Sequence, residues 1–148
     1  MWLDILQGLT TPVIGLGLLY IAYQQYKTNR EKLKLDLYER RLRVFRGTTA
    51  LLGAIQNKRK ADLIDISHFL HEAAEATFLF SKDTALQDYL EEIRLKANKL
   101  WAITIEMNEL PVGEQRNQIV SKRTEQLSWF IGQWKVIREK FKPHLGFK

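Results

Sequence analysis

The stretch ILQGLTTPVIGLGLLYIAY, residues 5–23, decides the predicted architecture. Its nineteen residues carry no charge, and nine of them are leucine, isoleucine or valine. At about 1.5 Å per residue they form a helix of roughly 28 Å, close to the ~30 Å thickness of a bilayer hydrocarbon core. Trp2 precedes the stretch, and Tyr20, Tyr23 and Tyr26 lie at its other end, where amphipathic rings prefer the membrane interface. These features favour a transmembrane helix over a buried core helix.

The charges beside this stretch predict its orientation. Residues 27–60 contain eleven Lys or Arg against three acidic residues, a net charge of +8, whereas residues 61–148 contain twelve against thirteen. No Lys or Arg precedes the stretch, so the positive-inside rule predicts a cytoplasmic C-terminal side and a periplasmic N-terminus in a bacterial inner membrane. Because the N-terminus lacks a basic region and no small-residue cleavage site follows, we expect a retained anchor over residues 1–26 rather than a signal peptide.

The basic residues that follow the span have two possible partners. They are Lys27, Arg30, Lys32 and Lys34. Positive charge next to a span is typical of contact with anionic lipid headgroups, whereas a nucleic-acid site is the alternative explanation of a net charge of +6. Their position beside the span favours lipid and weighs against nucleic acid.

Small residues recur along the predicted span. Gly8, Gly15 and Ala22 are seven residues apart, with Thr11 beside them. A helix side made of small residues lets two backbones approach closely in lipid. This predicts an oligomer seam, and the alternative is that glycine is simply common in membrane helices.

The remaining chain has the apolar spacing of helices throughout. Residues 18–46 contain no glycine or proline, so the span is predicted to continue into a basic stalk helix over residues 27–60. Further helices are predicted over residues 62–80, 84–110 and 114–141, and either Ser81 or Asp83 is predicted to cap the second of them. The buried stripe predicted for residues 62–80 consists of Leu63, Ile66, Leu70, Ala73, Thr77 and Phe80. The stripe predicted for residues 84–110 consists of Leu86, Leu90, Ile93, Ala97, Leu100, Thr104 and Met107. The predicted fold class is therefore all-α, with a cytoplasmic four-helix bundle over residues 27–148 that includes the stalk.

Few residues of the chain are candidates for catalysis or metal binding. The chain has no cysteine, which excludes thiolate metal sites and cysteine nucleophiles. His68, His71, Glu72 and Glu75 could share one helix side, but no other helix supplies matching ligands, so a solvated polar surface is the preferred interpretation over a metal site. No phosphate-binding or dinucleotide-binding loop is present, and we predict neither a metal nor another cofactor.

Arg138 and His144 match the loose R-x(4–6)-H pattern of HEPN ribonucleases, which are helical proteins that cleave RNA between paired protomers. In that chemistry the two residues assist attack by the 2′-hydroxyl and stabilise phosphate charge. The alternative is a plain helix end whose basic residues favour the helix dipole. We take these two residues as weak catalytic candidates, and an enzyme is the less favoured expectation.

Four sequence blocks occur in a characteristic order: YIAYQQ at 20–25, KLKLDLYERR at 32–41, FLF at 78–80 and KFKPHL at 140–145. With these blocks the chain resembles a family of small proteobacterial single-pass membrane proteins with a cytoplasmic helical domain. The resemblance covers nearly the whole chain and implies an aromatic residue in relatives at the position of His144. It carries no agreed function.

A more distant likeness, in architecture alone, is to CRISPR-associated accessory proteins that join one span to a degenerate HEPN-like bundle and assemble into a membrane pore. The first functional hypothesis is therefore a membrane-anchored homo-oligomer, as a pore-forming or membrane-disrupting effector in antiphage defence. The alternatives are a membrane-tethered HEPN-like enzyme acting on RNA and a tether that recruits a cytoplasmic protein partner.

Overall fold

The computed structural model describes the backbone of residues 2–146 and the side chains of residues 14–146. Across these residues the chain is all-helical, as the sequence predicted, and contains no strand. The helices are α1 (Trp2–Lys58), α2 (Leu63–Ala73), the single turn α3 (Ala76–Leu79), α4 (Thr84–Glu109) and α5 (Glu114–Leu145). The predicted continuity of the stalk with the N-terminal helix is confirmed, because α1 is one uninterrupted helix.

Contacts along the chain divide it into two compact units, Met1–Leu37 and Tyr38–Lys148. The first unit, in its described part, is the N-terminal portion of α1. The second contains the rest of α1 together with α2 to α5, which pack as a helical bundle. The predicted domain boundary after residue 26 stays a prediction.

Helix α4 contributes one continuous stripe to the core of the bundle. Its N-cap residue Asp83 accepts a hydrogen bond from the Leu86 backbone N–H at 3.0 Å, which satisfies one of the free donors at the start of the helix. The buried residues of the predicted stripe recur every three or four positions: Leu86, Leu90, Ile93, Ala97, Leu100 and Thr104. Six of the seven residues predicted for this stripe are confirmed as buried, and the seventh, Met107, is only half-buried.

Aromatic side chains pack α5, the last helix of the bundle, against α1, its first helix. The ring of Phe141 on α5 meets Phe45 on α1 edge to face at a centroid distance of 5.3 Å, and meets Phe80 at 5.6 Å. Further along the same two helices, the Trp134 indole N–H donates to the Gln56 side-chain oxygen at 2.8 Å. These contacts hold α5 against α1.

Helices α1 and α2 approach closely at a glycine. A Cβ placed on Gly47 would lie 2.5 Å from the Cβ of Glu72, a separation that real Cβ atoms do not adopt. Gly47 is therefore required by backbone proximity, although it lies in the middle of a helix where glycine is otherwise unfavourable.

The predicted helix over residues 62–80 is wrong in its continuity. It is divided into α2 and α3 by a turn at Ala74 and Glu75, where the Ala74 N–H bonds back only three residues, to the His71 carbonyl. The buried stripe also differs from the prediction, because Phe69 is buried and Leu70 is 42% exposed. An aromatic ring removes more apolar area from water than leucine does, which accounts for the rotation of the helix toward Phe69.

Helix α5 continues past the predicted end at Phe141. Pro143 lies inside the helix, which ends at Leu145 and is followed by Gly146 in the left-handed conformation (φ 61°). Proline removes one backbone hydrogen bond, but Phe141 and Leu145 on either side of it are buried. Tertiary packing therefore holds the last turn.

The predicted membrane span falls only partly within the described side chains. Residues 5–13 of it lie outside them. Between residues 14 and 146, where side chains are described, no helix is long and apolar enough to cross a membrane.

Candidate functional site

The part of α1 just before the basic residues exposes apolar side chains on all sides. Each of the following is more than half exposed: Ile14, Leu16, Leu18, Leu19 and Ile21. At about 100° per residue, these five positions leave no gap wider than about 140° around the helix, and the exposed Tyr20 lies within that gap. A helix that is hydrophobic all round is normally buried in a protein or spans a membrane.

Three of the predicted lipid-contacting residues share one side of α1 with a tyrosine. Tyr23, Lys27, Arg30 and Lys34 follow one another at steps of four, three and four, so their side chains project in nearly the same direction. We call these four residues the basic face. All four are exposed, and Tyr26 and Glu31 complete the lining of a shallow cavity of about 270 Å³ along them.

The fourth predicted residue, Lys32, lies elsewhere. It is nine positions from Tyr23, so it projects from the opposite side of the helix, about 180° away. Asp36 lies one turn beyond Lys32 on that side. The four basic residues were predicted as one group, but three of them share one side of the helix and Lys32 projects from the other.

The small-residue seam is described only in part. Gly15 and Ala22 lie on the same side of α1, and a Cβ added to Gly15 would meet no atom within 4 Å. Ala22 is exposed. Gly8 and Thr11 lie outside the residues whose side chains are described.

The weak catalytic candidates Arg138 and His144 do not share a helix side. They are six residues apart on α5, so their side chains project about 120° from each other around the helix. Arg138 is exposed. His144 is half-buried, with its Nε2 atom 2.7 Å from Oδ2 of Asp83 and its ring 4.9 Å from that of Phe80. The contact with Asp83 fixes the orientation of the His144 ring.

Asp83 is the residue that sequence reasoning treated as a helix cap and nothing more. Its carboxylate accepts the Leu86 N–H with Oδ1 and pairs with His144 through Oδ2. The hydrogen bond with His144, followed by the one from Leu86, holds the pKa of Asp83 below its ordinary value. The cap was visible in the sequence, but the pairing across 61 residues had no local signal.

The four residues considered for a metal site do not assemble into one. His68 and His71 are exposed, and Glu75 is engaged by Arg40, whose guanidinium Nη1 lies 3.0 Å from the carboxylate. Within the described residues no group of three or more His, Asp or Glu side chains could hold a metal ion.

Comparisons with known proteins add no relative from which a role could be transferred. No family model, curated protein or solved structure matches this chain. The family resemblance and the proposed function therefore rest on the chain's own residues.

Proposed function

We propose that this chain is a membrane-anchored protein, in which residues 5–23 span the bacterial inner membrane and the helical bundle lies in the cytoplasm. The observation that carries the proposal is the ring of exposed apolar side chains around α1 from Ile14 to Ile21. Removing one such side chain from water is worth about 1.5–3 kcal/mol, so this length of helix has a strong tendency to leave water. Lipid satisfies that tendency without requiring a protein partner.

The orientation is supported by the order of charges. The basic residues begin at Lys27, directly after the apolar stretch, and none precedes it. Alkaline phosphatase fused after Lys148 should be inactive, and a cytoplasmic reporter at the same place should be active. The opposite result would reverse the proposed topology.

We further propose that the anchored chain forms homo-oligomers through the side of α1 that carries Gly8, Gly15 and Ala22, with Thr11 adjacent. Apolar side chains gain little by leaving lipid for protein, so membrane helices associate where small residues permit close packing. A second helix could approach Gly15, where a Cβ would meet no atom within 4 Å; Gly17 is equally open, so the choice of side rests on the recurrence of the small residues. The proposed activity of the oligomer is on the membrane itself, as a pore-forming or membrane-disrupting effector, and it is based on the likeness in architecture to the pore-forming accessory proteins.

Disulfide cross-linking tests this assembly directly, because the chain contains no cysteine. Ala22→Cys should form a disulfide-linked dimer when isolated membranes are oxidised. Gly17→Cys, which lies about 140° from Ala22 around the helix, is the matched control and should not.

A wedge variant tests the packing. Gly15→Leu should abolish the cross-link through Ala22→Cys, whereas Gly17→Leu should leave it intact, since both keep the segment equally hydrophobic. Equal cross-linking at both cysteines, or none at either, would overturn the seam. A monomeric wild type would leave recruitment of a cytoplasmic partner as the better account.

A further inference from the structure

We propose that the basic face, Tyr23 with Lys27, Arg30 and Lys34, binds the headgroup phosphate of an anionic phospholipid. The site occupies one side of α1 and excludes Lys32. The proposal rests on the proposed membrane anchoring and specifies the lipid that the anchored chain prefers.

The first argument is the concentration of charge. Lys27, Arg30 and Lys34 lie within two helix turns, about 10 Å along the axis. Within residues 14–146 none of the three has an ion-pair partner, and Glu31 at the edge of the cavity is the nearest acidic residue in sequence. Three cations against one carboxylate leave a net positive surface. A phosphate diester complements that surface, and an arginine can bind two of its oxygens at once.

The second argument is the position along the helix. Tyr23 is the last residue of the predicted span, and its exposed ring, like that of Tyr26, suits the boundary between hydrocarbon and headgroups. Lys27 is then one turn beyond the boundary and Arg30 two turns beyond it. The headgroup layer is about 5–7 Å thick on each side of the hydrocarbon core, and long basic side chains can bend back into it. Both cations therefore reach the phosphate level, and Lys34, about 16 Å beyond Tyr23, lies within about one Debye length of the headgroup layer and attracts the anionic lipid from there.

The third argument is the contrast with the opposite side. Lys32 carries a single positive charge there, with Asp36 one turn away and Glu39 two turns away. Two carboxylates within two turns of Lys32 offset its single charge, so that side attracts an anionic headgroup less strongly than the basic face does. Removal of one positive charge should accordingly have different effects on the two sides.

The test uses the full chain reconstituted into vesicles of phosphatidylcholine with a minor fraction of phosphatidylglycerol. Electron spin resonance of spin-labelled lipids measures the preference of the protein for phosphatidylglycerol over phosphatidylcholine. Lys27→Gln, Arg30→Gln and Lys34→Gln should each lower that preference by twofold to about fivefold, the effect expected of one basic residue near an anionic surface. Lys32→Gln removes the same charge and should leave it unchanged. An equal decrease for Lys32→Gln would overturn the one-sided site.

Two further measurements distinguish a failure of membrane anchoring from a failure of headgroup binding. Resistance of each variant to alkaline extraction from the vesicles reports insertion. A chain that is extracted contradicts the proposed anchoring, whereas an inserted chain without lipid preference contradicts only the headgroup site. Inorganic phosphate at constant ionic strength should not compete with the lipid. Competition would assign the surface to free phosphate and overturn the lipid assignment.

Discussion

His144 near the end of α5 pairs with Asp83 at the start of α4, with 2.7 Å between Nε2 and Oδ2. The same carboxylate caps α4 through the Leu86 N–H. One aspartate therefore stabilises a helix terminus and a contact between two helices.

The two roles of Asp83 can be separated by substitution. Asp83→Asn keeps a good cap acceptor but removes the negative charge that faces His144, whereas Asp83→Ala removes both. We expect Asp83→Ala to be less stable than Asp83→Asn by about 1 kcal/mol, the usual value of a helix cap. Urea unfolding of the detergent-solubilised chain, followed by circular dichroism, measures this. Equal stabilities would mean that the cap contributes nothing.

The same pair predicts a dependence on acid. The pKa of Asp83 is lower than the ordinary 3.8, mainly through the hydrogen bond with His144. A carboxyl with a lowered folded pKa contributes stability that is complete above its unfolded pKa and is lost as the pH falls through its folded pKa. Wild type should therefore lose more stability than Asp83→Asn as the pH falls from about 5 to below 3.8. Parallel pH profiles for the two proteins would contradict the assignment.

Two glycines of α1 should respond oppositely to alanine. Gly47→Ala places a methyl group against Glu72 of α2 and should destabilise the chain by about 1–3 kcal/mol. Gly53→Ala, in the same helix, meets no atom within 4 Å and should stabilise it by about 0.5–1 kcal/mol through the better helix propensity of alanine. Urea midpoints of the two variants give the comparison. A stable Gly47→Ala variant would show that α1 and α2 separate readily.

A buried hydroxyl provides a further test of the core. Tyr89 is 5% exposed, its hydroxyl has no hydrogen-bond partner within the described structure, and burial raises its pKa. An unsatisfied buried polar group costs about 1–3 kcal/mol, so Tyr89→Phe should stabilise the chain by up to about that amount. Thermal unfolding of the variant decides the sign. A lower midpoint would mean that the hydroxyl is satisfied in solution.

Arg138→Ala should change neither stability nor cellular activity, because the side chain is exposed. His144→Ala should weaken the bundle through loss of the Asp83 contact, but should retain activity wherever it remains folded. Incubation of the purified proteins with RNA is the check. Cleavage by the wild type that disappears in Arg138→Ala would establish the enzyme hypothesis.

Some of this structure was predictable because it depends on local pattern. The stripe of α4 follows from apolar residues every three or four positions, and its cap from an aspartate before the first turn. The division between α2 and α3 was not predictable, because no proline or glycine marks the turn at Ala74. No local signal therefore distinguishes this segment from a continuous helix.

The candidate site was also predictable only in part. Exposure of the basic residues follows from their charge, and the isolation of Lys32 follows from helix geometry once α1 is known to be continuous. The pairing of His144 with Asp83 required the tertiary fold, because the two residues are 61 positions apart. The Arg138 and His144 pattern did not predict whether the two side chains share a side of the helix, since a spacing of six residues does not fix one.

The contacts between α1 and α5 have a consequence for biosynthesis. Gln56 bonds to Trp134 across 78 residues, and Phe45 packs on Phe141 still further along the chain. During translation α1 emerges first and α2 soon after it, but the contact of Phe45 with Phe141 must wait until α5 has been made. Part of the apolar side of α1 is therefore exposed on the nascent chain while synthesis continues. In that interval the ribosome-bound protein should be a substrate for chaperones that recognise apolar helices.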